Sequence, residues 1–336
     1  MQPIFQNVNP AKTSKMTIQS RFHPVNSIIA PIILVIVLGG IGCGIGFISF
    51  LDVSNGKADS IFKTPIYGSV LLFAAMIGMV IHYLKIIKKI QIDNQGIKFT
   101  NLFRSEFIRW NDVQKIELTG KSQNMNTPME TTNLILNTGK RIEILAPFYK
   151  NISTIRIALE QVLESLINRE PIELKPIKEA PKVTFPGFVN YLEMNKYSGN
   201  HFLSFNGIMI YGMIAFSIYV LLILDSPKYL GSIAAFSMSG FFYGFMGYQL
   251  HYFYMDKNYL VVKNHVWPWV NHEYKIEDIK EVVFELPYKR SISLRVITKG
   301  YYSKLYPAGS LSNKTWKALK EEFKGLKVNI RDETIM

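Results

Sequence analysis

The sequence predicts a helical membrane protein with four transmembrane helices combined with two α+β modules, the whole arranged as an internal duplication. Three observations lead there. Four long stretches lack Asp, Glu, Lys and Arg altogether: residues 24–51 (28 residues), 64–84 (21), 197–224 (28) and 229–255 (27). Short runs with strand-like alternation follow the second and the fourth stretch. The order of features after the second stretch then recurs after the fourth.

Taken in order, residues 1–26 form a polar N-terminal tail that carries Lys12, Lys15 and Arg21. The first apolar stretch is too long for the core of a signal peptide and is expected to stay as an uncleaved anchor. Residues 27–87 form the first helical hairpin. About 20 mostly apolar residues cross a hydrocarbon core, so each charge-free stretch is long enough. Residues 88–170 form the first module. Ile97, Phe99, Ile108, Val113, Ile116, Leu134, Leu136, Ile142 and Ile144 alternate there, and Asn137-Thr-Gly-Lys140 marks a hairpin. Ser153 is the expected N-cap of an amphipathic helix whose apolar face is Ile155, Ala158, Leu159, Val162, Leu163 and Leu166. Residues 171–202, with Pro171, Pro176, Pro181 and Pro186, are expected to be an extended linker. Residues 203–252 form the second hairpin and 253–330 the second module.

The repeat rests on matched residues. Asp93, Ile97 and Asn101 match Asp256, Leu260 and Asn264 at a shift of 163, and Asp112, Val113 and Ile116 match Asp278, Ile279 and Val282 at 166. Leu134, Thr138, Pro147, Ala158 and Leu159 match Leu294, Thr298, Pro307, Ala318 and Leu319 at 160. Gly78, His82 and Tyr83 are spaced as Gly247, His251 and Tyr252 are.

Charge sets the expected orientation. The net charge is +13. Lys85, Lys88 and Lys89 follow the second apolar stretch, whereas the connections 52–63 and 225–228 carry few cations. This bias puts both termini and both modules on the cytoplasmic side of a multi-pass protein of the cytoplasmic (inner) membrane. The module segments are themselves basic: 88–170 holds 12 Lys/Arg against 9 Asp/Glu, and 252–336 holds 15 against 10. Such surfaces face anionic headgroups, which attract each nearby Lys or Arg by about 1 kcal/mol.

A helical pair followed by strands and one amphipathic helix resembles the bacterial pleckstrin-homology-like membrane proteins. The likeness is carried by Ile92-Asp-Asn-Gln-Gly-Ile97, Phe107-Ile-Arg-Trp-Asn-Asp-Val113 and Lys115-Ile-Glu117. In the second copy it is carried by Tyr254-Met-Asp-Lys-Asn-Tyr-Leu260 and Tyr274-Lys-Ile-Glu-Asp-Ile279. The resemblance implies a bent seven-stranded sandwich capped by a helix, no catalysis, and self-association. Where eukaryotic relatives carry a Lys/Arg cluster, this chain has Asp93-Asn-Gln-Gly96 and Asp256-Lys-Asn258.

Several residues are candidates for contact. Gly40/Gly44, Gly42/Gly46 and Gly240/Gly244 have the small-xxx-small spacing of close helix packing, and no phosphate-loop pattern surrounds them. His82, Tyr83, His251 and Tyr252 are expected near helix ends, as interfacial anchors or as a proton relay. Lys85, Lys88 and Lys89, with the hairpin tips Leu102-Phe103 and Trp267-Pro-Trp269, are candidate membrane-surface contacts; the tips either dip into the bilayer or fold back on the core. Cys43 is the single cysteine, so neither an intrachain disulfide nor a cysteine-rich zinc site is expected. The histidines lack metal-ligand spacing, and no cofactor motif, nucleophile elbow or nucleic-acid signature occurs.

The expected function is therefore that of a non-catalytic membrane protein. Its modules would bind lipid headgroups or a protein partner, in a scaffold or assembly role, as a homo-oligomer. The alternative is a small transporter or channel component built on the four helices.

Overall fold

The computed structural model describes residues 16–122, 128–177, 191–223, 228–287 and 291–334. Lys12, Lys15, Pro181, Pro186 and the connection at Asp225 lie outside them. The chain divides into two compact units, the first essentially residues 1–178 and the second 179–336.

The first unit opens with the short strand β1 (Ile18–Gln19). A turn of π-helix (Val25–Ile29) then leads into α1 (Ala30–Ser54), and α2 (Ile66–Ile86) follows. The strands are β2 (Lys89–Ile92), β3 (Gly96–Thr100), β4 (Ser105–Arg109), β5 (Val113–Lys121), β6 (Glu130–Leu136) and β7 (Arg141–Leu145), and α3 (Ile152–Asn168) comes last. They build a four-stranded sheet in the order β1-β2-β3-β4 and a three-stranded sheet in the order β5-β6-β7. β1 is antiparallel to β2, with Ile18 opposite Ile92. The segment expected to be a tail thus supplies the first strand, and the helical hairpin is inserted between strands one and two. Sequence reasoning missed this because a two-residue strand carries no readable alternation.

Local chemistry explains the turns. Asp93 Oδ1 accepts the N–H groups of Gln95 (2.8 Å) and Gly96 (3.0 Å), which closes β2 onto β3. Gly96 is required, since a Cβ there would lie 2.2 Å from the Ile108 carbonyl oxygen. Ile90, Ile92, Ile97, Leu134 and Ile144 point inward and meet Ile155, Leu159 and Val162 of α3. Each such side chain contributes about 1.5–3 kcal/mol through burial. Asn151, rather than Ser153, precedes the helix, and its amide ties back to the Gln19 carbonyl oxygen (2.9 Å).

The second unit runs β8 (Asn195–Tyr197), α4 (Phe205–Ile223), α5 (Lys228–Gly247), β9 (His251–Met255), β10 (Tyr259–Asn264) and β11 (Asn271–Lys275). It continues with β12 (Ile279–Glu285), β13 (Ser293–Thr298), β14 (Ser303–Pro307), α6 (Asn313–Gly325) and β15 (Asn329–Glu333). One sheet has the order β11-β10-β9-β8 and the other β14-β13-β12-β15. β8 pairs antiparallel with β9, with Asn195 opposite Met255. The end of the expected linker is therefore a strand. β15 joins β12 in parallel and carries the module past residue 330.

The same hydrogen bonds recur in the two units. Asp256 Oδ1 accepts from Asn258 and Tyr259 (both 2.7 Å), as Asp93 does from Gln95 and Gly96. Asn101 Oδ1 accepts from Phe103 and Arg104, and Asn264 Oδ1 from Val266 and Trp267. Later the expected shift of 160 is corrected. Val113 faces Leu136 and Ile279 faces Thr298, so the β-ladders align at a shift of 162 (Leu136 to Thr298). The helix caps Asn151 and Ser312 give 161. Backbone register decides this, and the Thr138/Thr298 and Pro147/Pro307 identities are coincidental.

Among the described residues, three helices are long and apolar enough to cross a membrane: Val25–Ser54, Ile66–Ile86 and Phe205–Ile223, with mean hydropathy 2.7, 1.9 and 1.9. α5 pairs with α4, but Ser237, Ser239, Gly240, Tyr243 and Gly244 dilute its apolar run. The glycine pairs separate. Gly42 and Gly46 face α2, where Phe73 and Ser69 pack against them, and Ser69 donates to the Gly42 carbonyl (2.7 Å). Among the described residues, no atom lies within 4 Å of where a Cβ on Gly40, Gly44, Gly240 or Gly244 would stand. Two residues rotate a helical position by about 200°, so both α1 pairs cannot serve one partner. In the second unit the Ser217–Ser239 hydroxyl pair (2.6 Å) joins α4 to α5 instead.

Candidate functional site

In the first unit a cleft of about 480 Å³ opens where α2 meets the module. Its walls come from the end of α2, from β3 and β4, and from β7; β4 and β7 are the edge strands of their sheets. The cleft thus opens between the edge strands of the two sheets, at the end of a candidate membrane span.

Its chemistry is basic. Lys85 and Lys88 enter from the end of α2 and the residues after it, Arg104 from the β3–β4 turn, and Lys140 and Arg141 from β7 and the turn before it. Glu106 and Glu143 are the acidic residues in the lining. Lys140 donates to Glu106 across the gap (2.5 Å), and that hydrogen bond holds the Glu106 carboxyl below the usual range. Arg141 is tethered, donating to the Lys121 carbonyl (3.2 Å) and standing 3.5 Å from Glu117. Lys85, Lys88 and Arg104 make no ion pair with a described residue. Lys88 is half-buried with its ammonium 5.6 Å from the Phe99 ring centre. Burial lowers its pKa, which nearby Glu106 partly offsets and Lys140 and Arg104 lower further. A group so placed gains from an anionic neighbour.

Two anchors fix the cleft. The Asn101 side-chain amide donates to the Lys85 carbonyl (3.1 Å), tying the β3–β4 turn to the end of α2. The Tyr149 hydroxyl donates to the Lys88 carbonyl (2.6 Å), tying the base of α3 to the start of β2.

The matching gap in the second unit is filled. At the ladder positions of Ile108 and Ile144 stand Tyr274 and Tyr306, whose hydroxyls are 2.5 Å apart in the core. At the position of Glu106 stands His272, which lies 2.7 Å from Lys304 Nζ. Burial and Lys304 push His272 down to about 4, so the neutral ring accepts the lysine's hydrogen bond. At the position of Lys88 stands His251, bonded through Nδ1 to the Pro307 carbonyl oxygen (2.9 Å) and edge-on to Tyr306.

These positions correct the expectation for His251 and Tyr252. α5 ends at Gly247, so both residues lie on β9 inside the module and not at a membrane helix end. His251 is 2% exposed, and burial pushes it down to about 4. Tyr252 stacks on His265 at 4.3 Å, and His265 stacks on His201 at 4.5 Å. By contrast His82 and Tyr83 are on α2 as expected: Tyr83 donates to the Asn26 carbonyl (2.9 Å), and His82 lines the cleft.

The other candidates are placed as follows. Lys89 is exposed on β2 and does not line the cleft. Leu102 and Phe103 are exposed (73% and 57%) at the turn that Asn101 ties to α2. Trp269 is exposed, whereas Trp267 turns back over Gly247 and Tyr248. Cys43 is exposed on α1. Arg104, Glu106, Lys140 and Arg141 were missed by sequence reasoning: they lie 19 to 56 positions beyond Lys85 and meet it only because two edge strands face each other.

No protein-family model and no curated protein matches the chain.

Proposed function

We propose that the chain is a non-catalytic, multi-pass protein of the cytoplasmic membrane that holds two pleckstrin-homology-like modules against the inner bilayer surface. The first module presents a basic cleft to phosphate-bearing headgroups, and the two modules together serve as a scaffold for assembly. α5 serves as the fourth span in this reading, and the two units descend from one duplicated ancestor. The observation that carries the reading is the insertion of each helical pair between the first two strands of its sheet. A module threaded in this way is attached to its helices at both ends, and the cleft is held at headgroup depth.

Three further features support it. β1–β7 with α3 match in number the seven strands and closing helix that the resemblance implies; β8–β14 with α6 follow the same order, and β15 adds an eighth strand. Three helices have the length and hydropathy of spans. The cations Lys85, Lys88 and Lys89 lie at the module end of α2, where the positive-inside bias places the cytoplasm.

Reporter fusions after residues 58, 130, 227 and 336 test the topology. The expected result is a cytoplasmic signal at 130 and 336 and an external one at 58 and 227. An external signal at 130 or 336 overturns the orientation.

A further inference from the structure

A second cavity in the first unit bears on what the cleft holds. Between α1 and α2 runs a groove of about 760 Å³, lined by side chains such as Val35, Leu38, Met76, Met79 and Val80. The polar side chains of its lining, Asn26, Ser27, His82 and Tyr83, gather at the module end. Three of these are already engaged: Asn26 donates to the Pro147 carbonyl oxygen (2.9 Å), Ser27 to that of Phe148 (2.8 Å), and Tyr83 to that of Asn26 (2.9 Å). His82 has no hydrogen-bond partner among the described residues. The groove lies between the two helices whose length and hydropathy suit a membrane.

The groove and the basic cleft share lining residues. His82 and Ile86, one turn apart on α2, belong to both. An apolar channel therefore meets a cationic cleft at the end of one helix. Both volumes fall within the range of about 300–1,000 Å³ usual for small-molecule sites. A free phosphate would use the cleft and leave the groove without purpose, and an acyl chain alone would ignore Lys85, Lys88 and Arg104. A molecule with an anionic phosphate at one end and a hydrocarbon chain at the other engages both.

We infer that the first unit binds one anionic glycerophospholipid, with an acyl chain in the α1–α2 groove and its phosphate in the cleft among Lys85, Lys88 and Arg104. The inference rests on the cleft being the anion site proposed above. His82 stands at the junction, within reach of the glycerol and ester region. The charge-assisted contacts in the cleft select anionic over zwitterionic headgroups.

Native mass spectrometry of the full chain in detergent tests this, with dioleoyl phosphatidylglycerol, dioleoyl phosphatidylcholine and soluble glycerol 3-phosphate added separately. The expected result is a single phosphatidylglycerol adduct, retained at least tenfold more strongly than phosphatidylcholine. The double variant Lys85→Gln/Lys88→Gln is expected to lose that preference. The groove-filling variant Val80→Trp is expected to weaken the phosphatidylglycerol adduct while leaving glycerol 3-phosphate binding as in the parent. Circular dichroism and melting of each variant report whether it folds; if Val80→Trp does not, Met79→Trp fills the same groove. Equal retention of the two lipids marks an annular lipid only and overturns the inference. Glycerol 3-phosphate binding as tightly as the lipid, with groove-filling variants unaffected, overturns the inference but leaves the anion cleft standing. Failure of all three ligands removes both.

Discussion

The gap between the two sheets differs between the two units, although the surrounding ladders match in register. In the first unit Phe99, Ile142 and Leu145 give it an apolar wall beside Lys88, Glu106 and Lys140, leaving a cleft, and Ile108 and Ile144 are buried in the core. In the second, Tyr274, Tyr306, His251 and His272 fill the same space with rings. Matching ladders thus carry a cavity in one unit and a plug in the other. The lesson concerns side chains at a few ladder positions: backbone pairing sets the gap, and where the first unit has Lys88, Glu106 and Ile142 the second has His251, His272 and Lys304, which bond across it.

The largest expected effect comes from removing the plug. Tyr306 is fully buried, and Tyr306→Ala deletes a ring and leaves the Tyr274 hydroxyl without its partner. Loss of a large buried aromatic costs about 3–5 kcal/mol. Trp316 and Trp110, buried in the second and first units, report the two units separately. In thermal unfolding in detergent, followed with each as the sole tryptophan, the Trp316 transition is expected to fall well below that of the parent while the Trp110 transition stays in place. An equal fall in both would show that the plug does not act within its own unit.

Acid is expected to have the next largest effect, again on the second unit. His251 has a folded pKa of about 4 against an ordinary value of 6.5, because burial disfavours its charged form. The unfolded chain therefore binds more protons in that window, and stability rises with pH. The contribution is present above about 6.5 and is lost as pH falls toward 4. For His251 alone it is on the order of 3 kcal/mol. His265 and His272, also pushed down to about 4, act in the same direction. The first unit has a lysine where His251 stands. Comparing the two tryptophan transitions at pH 7 and pH 5 should show the Trp316 signal melting earlier at pH 5, with a smaller change for Trp110. A Trp316 transition that is unmoved or rises in acid would contradict the buried neutral histidines.

Much of the fold was legible because its causes are local. An absence of charge over 20 or more residues has few structural meanings, and long helices stand in three of the four stretches at spanning length and hydropathy. Asp93 and Asp256, and Asn101 and Asn264, were legible as matched positions, and each pair proves to form its turn by bonding the backbone two or three residues ahead. β1 and β8 were not legible: strands of two and three residues exist only by pairing with β2 and β9, and that partnership is tertiary. His251 was misplaced because its charge-free surroundings run on past Gly247 into β9, where apolar residues serve a core rather than a bilayer.

The cleft was half legible. Lys85 and Lys88 were visible as a juxtamembrane cluster, since nearby positions suffice to show it. Arg104 and Lys140 join them only through the facing of β4 and β7, which no spacing encodes. The contrast with Tyr274 and Tyr306 was hidden too, because the alignment at 160 placed Ile144 opposite Lys304 instead of Tyr306.

The proposed contrast between an open, anion-binding gap and a sealed one is tested most directly by lysine labelling of the full chain in nanodiscs. An amine-reactive reagent is applied in phosphatidylglycerol and in phosphatidylcholine discs, and each site is quantified by mass spectrometry. Lys88 and Lys140, in the first unit's gap, should be labelled several-fold less in phosphatidylglycerol, whereas Lys304, in the second unit's filled gap, should be labelled equally in both. Equal labelling of Lys88 and Lys140 in the two lipids, or a lipid dependence at Lys304 that follows theirs, would contradict it.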